Sequence, residues 1–209
     1  MTAIKREAEE YLKIAIQLAQ KAYYSKIIPL LEKGIKAGDI STVRKEIDNL
    51  YDNLPDSRKV LITPVWISVN EKMRRWNNES SEPYMKYKEN LIHETDRGEF
   101  VRSKSEKEIA NELNYHSNRL DYKYARPLTM INHGQFHPDF TVINRITGNI
   151  KYWEHAGRMD DPGYVNHFVG KMNTYIENGI FPGEDLIVTY ETSCIPLNKR
   201  NIRAWIEQI

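Results

Sequence analysis

HPDFTVINRITGNIKYWEHAG, residues 137–157, decides the fold of this chain. Two short apolar runs flank the turn residues Arg145–Ile146–Thr147–Gly148–Asn149. This is the pattern of an antiparallel hairpin spanning 137–144 and 150–157. Each run carries one carboxylate in an apolar or aromatic setting, Asp139 after Pro138 and Glu154 after Tyr152–Trp153, and neither has a lysine or arginine beside it. Residues directly opposed in such a pair share a constant index sum and one face of the sheet. A four-residue loop Arg145–Gly148 gives the sum 293 and sets Asp139 opposite Glu154; a two-residue Thr147–Gly148 turn gives 295 and leaves them diagonal on the same face. An even sum, or a bulge, would separate them. Two carboxylates this close repel, and one is driven to protonate unless a cation sits between them. Hard oxygen ligands suit Mg²⁺, Mn²⁺ or Ca²⁺. The alternative from spacing alone is two acids on a solvated strand face.

Working outward, Ser103 opens a helix to about Asn114, with Glu106 three positions on as in a capping box. Glu106 also borders the apolar stripe of Ile109, Ala110 and Leu113. Strands are predicted at Leu120–Tyr124, Leu128–Met130 and Asp185–Thr192. A helix runs from Tyr164 to Asn178, opened by Asp161–Pro162 and closed by Asn178–Gly179, and a last one spans Lys199–Gln208. Lys171 lies on the inward stripe of Tyr164, Phe168 and Tyr175, where the alternative is a lysine snorkelling at the edge of that stripe. The order α, β, β, β, α, β, α predicts a mixed sheet flanked by helices.

The N-terminal part reads as all-helical. Ile4, Ala8, Tyr11, Ala15, Leu18 and Ala22 recur at steps of four and three along a helix over 2–37. Gly38–Asp39 breaks it, and Ser41 is expected to cap a second helix to about Leu54, ended by Pro55. This helical hairpin is either a structural arm or a surface for dimerisation, a protein partner or nucleic acid. Lys59–Thr63 reads as extended, Glu71–Trp76 as helical and 77–83 as a polar loop. The division is drawn at 97/98, giving a helical region 1–97 and a core 98–209.

The 30 basic and 29 acidic residues leave a net charge of +1, so no overall attraction to a polyanion is visible. The single cysteine, Cys194, excludes an internal disulfide and a cysteine-rich zinc site; it fits a reducing compartment and reads as a small core residue. The N-terminus has no apolar signal segment, and no apolar run approaches the ~20 residues of a membrane span, so a cytoplasmic protein without membrane contact is expected.

The segments VRSKSEKEIANEL, YKYARPL, HPDFTV, YWEHAG, GKMNTYIENGI and DLIVTYET stand in an order that resembles the PD-(D/E)XK nuclease superfamily, over about 95–209 and so a little over half of the chain. The resemblance implies a restriction-endonuclease-like α/β (α+β) core and metal-dependent hydrolysis of phosphodiesters by Mg²⁺ or Mn²⁺, in DNA above all, with RNA left open. Asp139 and Glu154 would hold the metal, and Glu106 would match the acid many members carry on the first core helix. The pattern departs at Ala156, where a lysine is expected two residues after the second acid; Lys171 is the candidate replacement, with Tyr175 one turn further on. Ala125 stands where similar sequences often carry an acid. His155 is expected to face away from Glu154 unless the strand end twists, and His137 shares the face of Asp139 and could join it on a softer metal such as Mn²⁺. Lys199, Arg200 and Arg203 form a modest basic end that could touch phosphates, or else a solvated helix face. The rivals to a nuclease are a nuclease-fold module that binds nucleic acid without cutting, and a helical interaction protein that uses the fold as a scaffold.

Overall fold

The computed structural model describes residues 3–79 and 88–209. The chain divides into two compact units, Met1–Arg75 and Trp76–Ile209, each a separate body here. The division falls earlier than the 97/98 boundary drawn from the motif string. Residues ahead of the motifs belong to the second unit because their polar groups are satisfied there: the Trp76 indole donates to Asp121 Oδ2 at 2.8 Å and Arg97 donates to Asp121 Oδ1 at 3.0 Å.

The first unit is helical. Helix α1 spans Ala3–Ala37 and α2 spans Ile40–Asp52, followed by the short α3, Asp56–Lys59, and by α4, Val69–Asn78. Gly38 ends α1 with φ 67°, a left-handed turn that glycine adopts without Cβ strain. Asp39, not Ser41, caps α2: its Oδ1 accepts from the Ser41 and Thr42 amides at 3.1 and 3.2 Å. Ser41 instead donates its hydroxyl to the same oxygen. A carboxylate two residues earlier reaches two orphan amides at once. Gly34 lets the helices close up, since a Cβ there would lie 2.7 Å from Val43 Cγ2. Tyr23 and Ile27 of α1 pack on Val43, Ile47 and Tyr51 of α2, with Ile62 beside them. Lys59–Thr63, expected to be extended, ends α3 and turns. Its amides bond back to Pro55, Asp56 and Arg58, so no strand partner is needed. Of the polar loop expected at 77–83, Asn77–Asn78 complete α4 and 80–83 lie outside the described residues.

The second unit is a mixed helix-and-sheet fold. A small ladder joins β1, His93–Glu94, to β2, Phe100–Val101. Then come α5 (Lys104–Tyr115), β3 (Leu120–Tyr124), β4 (Leu128–Met130), β5 (Gly134–Phe136), β6 (Phe140–Asn144), β7 (Ile150–Ala156), α6 (Pro162–Glu177), β8 (Leu186–Tyr190) and α7 (Lys199–Ile206). The main sheet has the order β3-β6-β7-β8, antiparallel up to β7 and parallel between β7 and β8, with α6 as the crossover. The predicted strand at 128–130 forms but lies outside this sheet, pairing with β5 around the turn at Asn132, which takes φ 65°. Phe140, Val142, Trp153 and Ile187 pack against Ile109, Ala110 and Leu113 of α5 and Ile202 and Ile206 of α7. The α6 side is a smaller cluster of Tyr175, Leu186 and Met130.

The central hairpin takes the four-residue loop. Phe140 pairs with Trp153 and Ile143 with Ile150, the register of index sum 293. Asn144 closes it by accepting the Ile146 and Thr147 amides on its side chain, and Gly148 supplies the positive φ of 66°. Cys194 is exposed, not a core residue: it lies in the irregular segment between β8 and α7, away from the packed faces. Among the described residues, no helix is long and apolar enough to cross a membrane.

Candidate functional site

Asp139 and Glu154 are both buried, just before β6 and within β7. Asp139 lies one residue before β6, and the hairpin register continued to it reaches Glu154. Its position is set by the backbone on both sides. Its Oδ2 accepts the His155 amide at 2.8 Å, and its own carbonyl accepts the Ala125 amide at 3.0 Å. Ala125, buried and at φ 46°, turns the chain out of β3 at this point. A longer side chain there would add bulk to a backbone that already disfavours a Cβ.

Glu154 is 3% exposed, and α6 closes over it. The Tyr175 hydroxyl donates to Oε1 at 2.6 Å, and Lys171 Nζ lies 2.7 Å from each carboxylate oxygen. Lys171 and Tyr175 are four residues apart, so both project from one face of the helix. Asp161 starts that helix by accepting the Gly163 and Tyr164 amides, with Pro162 in the first turn. Ala156, the position at which the nuclease pattern has its lysine, is fully buried.

Burial, and then the neighbouring Asp139, push the Glu154 carboxyl up to about 7; Lys171 and Tyr175 pull in the opposite direction without cancelling this. Burial works against the Lys171 ammonium, but Glu154 and Asp139 outweigh it and raise its pKa. The Tyr175 phenol is raised by burial and by Glu154. The charges of the two acids oppose one another in a buried site, and Glu154 stays raised even with Lys171 beside it and Arg102 near Asp139.

Glu106 is half of a capping box. Its amide donates to Ser103 Oγ at 3.0 Å, as the spacing predicts. Its carboxylate does not return to the cap residue: Oε2 accepts the Arg102 amide and the Tyr124 hydroxyl, each at 2.8 Å. Burial, then Asp139, raise its pKa. Glu106 therefore feels Asp139 but hydrogen-bonds elsewhere. Among the described residues, no group of three or more His, Cys, Asp or Glu side chains is arranged to hold a metal ion. The expected Asp139, Glu154 and Glu106 are not assembled into a closed cage.

Two residues that sequence reasoning passed over join the site. The Arg102 guanidinium lies 3.7 Å from Asp139 Oδ1 and donates through Nε to the Tyr124 hydroxyl at 3.0 Å. Tyr124 thereby links Arg102 to Glu106. The available signal was a phenol at the last inward position of β3, since a buried hydroxyl requires a polar partner.

The accessory histidines differ. His137 is half-buried and borders a cavity of about 490 Å³ with Phe136, Asn166, His167 and Lys171. Burial, then Arg102 and Lys171, lower its pKa. His155 points to the other face of β7, with Nδ1 3.1 Å from Thr189 Oγ1 and Nε2 3.2 Å from Glu191 Oε1. Only its amide reaches the acids. At the basic end, Lys199 pairs with Glu108 at 2.8 Å, and Arg203 forms a fork to Glu112 at 2.8 and 3.1 Å. Two of the three cations suggested for phosphate contact thus hold α7 to α5, and Arg200 is exposed.

No family model and no curated protein matches this chain.

Asp139 and Glu154 offer the hard oxygen donors that Mg²⁺ or Mn²⁺ would take. Such ions take one or two carboxylates and complete their shell with water and substrate phosphate. Among the described residues, Arg102 approaches Asp139 Oδ1 at 3.7 Å and Lys171 lies 2.7 Å from Glu154 Oε2. A carboxylate oxygen has two lone pairs and can accept from more than one partner.

Proposed function

We propose that this chain is a divalent-metal-dependent nuclease acting on DNA, with a restriction-endonuclease-like core and a cytoplasmic setting. Asp139 and Glu154 are the metal ligands. Lys171 supplies the cation that Ala156 lacks, Tyr175 and Arg102 orient the two acids, and Glu106 supports the site from α5. The observation that carries this reading is the 2.7 Å contact of Lys171 with Glu154 from the helix after the hairpin, beside an acid pair in direct register. The order α5-β3-β6-β7-α6-β8 supports the fold reading.

A bound divalent ion would supply a Lewis acid toward phosphate oxygen and a water of lowered pKa. The protein's own groups do the rest. Asp139 is held by the His155 amide, so the ligand geometry exists before substrate arrives. Lys171, paired with Glu154, can turn a proton donor toward charge developing on a phosphate without leaving its partner. The open cavity beside Lys171 gives a phosphodiester room to approach. The second reading, a module that binds without cutting, is favoured by Ala156 and by the closed Lys171–Glu154–Tyr175 arrangement.

Cleavage of plasmid, linear, single-stranded and branched DNA in Mg²⁺, Mn²⁺ and EDTA, with Asp139→Ala alongside, separates the two. Metal-dependent cutting lost in the variant supports the nuclease. DNA binding with no cutting in any metal supports the module and overturns the nuclease.

A further inference from the structure

The first half of α1 leaves an apolar face uncovered. Tyr11, Leu12, Ile14 and Leu18 are 66, 53, 48 and 62% exposed, a group of large apolar side chains within eight residues. Tyr11, Ile14 and Leu18 are turned away from the face carried by Tyr23 and Ile27, with Ala19 beside them, and Leu12, eleven residues before Tyr23, continues that face toward the N-terminus. Next to Leu18 and Ala22, the face runs into a cleft of about 340 Å³ walled by Leu50, Leu54 and Leu61. Isolated exposed leucines need no explanation, but a contiguous face of this kind marks an interface.

The sequence of the face points to its occupant. Ala8, Tyr11, Ala15, Leu18 and Ala22 follow the four-three spacing of a helix-pairing seam. In an antiparallel pair of identical helices, facing seam positions have a constant index sum. At the sum 26, Ala8 meets Leu18 of the second copy and Tyr11 meets its Ala15, so every layer sets a large side chain against an alanine. The flanking positions then align as well. Glu7 faces Lys21 of the second copy, and Lys21 faces its Glu7. Ile14 meets Ile14 and Leu12 meets Leu12 on either side of the two-fold axis. A parallel pair would place Leu18 on Leu18, Ala15 on Ala15 and Lys21 against Lys26, matching large with large and like charge with like. An antiparallel shift of one heptad would lose both Glu7–Lys21 pairs. Glu7, Lys21 and Ala8 are all exposed and available for this contact.

We propose that the chain forms a two-fold dimer through antiparallel pairing of the first half of α1, centred between Leu12 and Ile14. The contact is isologous, as a closed pair of identical chains requires. It does not depend on the nuclease reading.

Sedimentation equilibrium of the full chain at tens of micromolar should give twice 24.6 kDa. Leu18→Glu should give the monomer. Glu7→Lys and Lys21→Glu should each weaken the dimer about tenfold, and together restore it, because the double variant recreates the pair with signs exchanged. These two positions are exposed, so the charge variants test the contact even if Leu18→Glu perturbs the helix. In a Cys194→Ser background, Ile14→Cys should cross-link two copies under mild oxidation, and Lys13→Cys, on the outer face, should not. A monomer mass for the unaltered chain overturns the proposal. So does a dimer in which Ile14→Cys does not link and the charge exchange does not restore affinity.

Discussion

Glu71 in the first unit and Glu154 in the second are buried to the same degree, with side chains 2 and 3% exposed, and each touches a cation at 2.7 Å. Their chemistry diverges. Glu71 accepts from Arg74 at 2.8 and 2.9 Å and from Arg75 at 2.7 Å, and these bonds hold its pKa down to about 2 despite burial. Glu154 has one lysine, and the burial that surrounds it together with a second acid, Asp139, carries it up to about 7. The fork of Arg74 and the single bond of Arg75, one turn away on the same helix, neutralise Glu71, and the result is a structural group. Glu154 is placed opposite another carboxylate and is left under-neutralised, which costs stability and is the pattern of a functional centre.

Four measurements bear on the contrast between Glu71 and Glu154. The largest effect falls on activity. Lys171→Ala should cut metal-dependent cleavage by about a hundredfold or more, since it removes a positioned charge from the transition state. Its cost in stability should be small, because Glu154 can take up a proton in place of the ammonium; a stability loss without an activity loss would make Lys171 structural. Second, Glu71→Gln should destabilise the first unit by about 2 kcal/mol, as two arginines lose charged hydrogen bonds, with cleavage unchanged. A denaturant midpoint that does not move would show that the Arg74–Glu71–Arg75 group is solvated like a surface pair.

Third, the two acids should tilt stability against pH in opposite directions. Glu71 is depressed, so its contribution is present above the unfolded value of 4.5 and is lost as pH falls toward about 2. Glu154 is raised, so the folded state holds a proton the unfolded state has released, and stability falls as pH rises from 4.5 through about 7. Melting temperatures of Glu154→Gln should lack the decline between pH 5 and 7, and those of Glu71→Gln should lack the acid loss. Equal pH profiles for the two variants would remove the contrast. Fourth, and smallest, Arg203→Ala should lower the melting temperature only slightly through the lost fork to Glu112, with DNA affinity unchanged. A clear drop in DNA binding would return Arg203 to the phosphate-contact role.

Much of this arrangement was legible in the residues because it rests on periodicity. The alternation of 140–144 against 150–156, with Gly148 in the turn, put Asp139 and Glu154 on one face and left two registers open, of which the structure takes the sum 293. The stripe Tyr164, Phe168, Lys171, Tyr175 identified the face of α6 that covers Glu154. What was missed depends on contacts distant in sequence. Arg102 and Tyr124 are 22 residues apart and meet only when α5 docks on β3. The β4–β5 hairpin turns on a non-glycine positive φ at Asn132, which pattern reading does not flag. Trp76 and Arg97 were assigned with the N-terminal region because their partner Asp121 lies far along the chain. Cys194 was placed inside on residue type alone, and the segment after β8 carries it to the surface.

The most direct test is Mn²⁺ binding in the absence of DNA, followed by titration calorimetry or by the electron paramagnetic resonance of free Mn²⁺, for the unaltered chain and for Asp139→Ala. A bound Mn²⁺ that Asp139→Ala abolishes and Lys199→Ala leaves intact is the result expected of the proposed metal site. Binding unaffected by Asp139→Ala, or no binding to the folded chain at millimolar Mn²⁺, would contradict it.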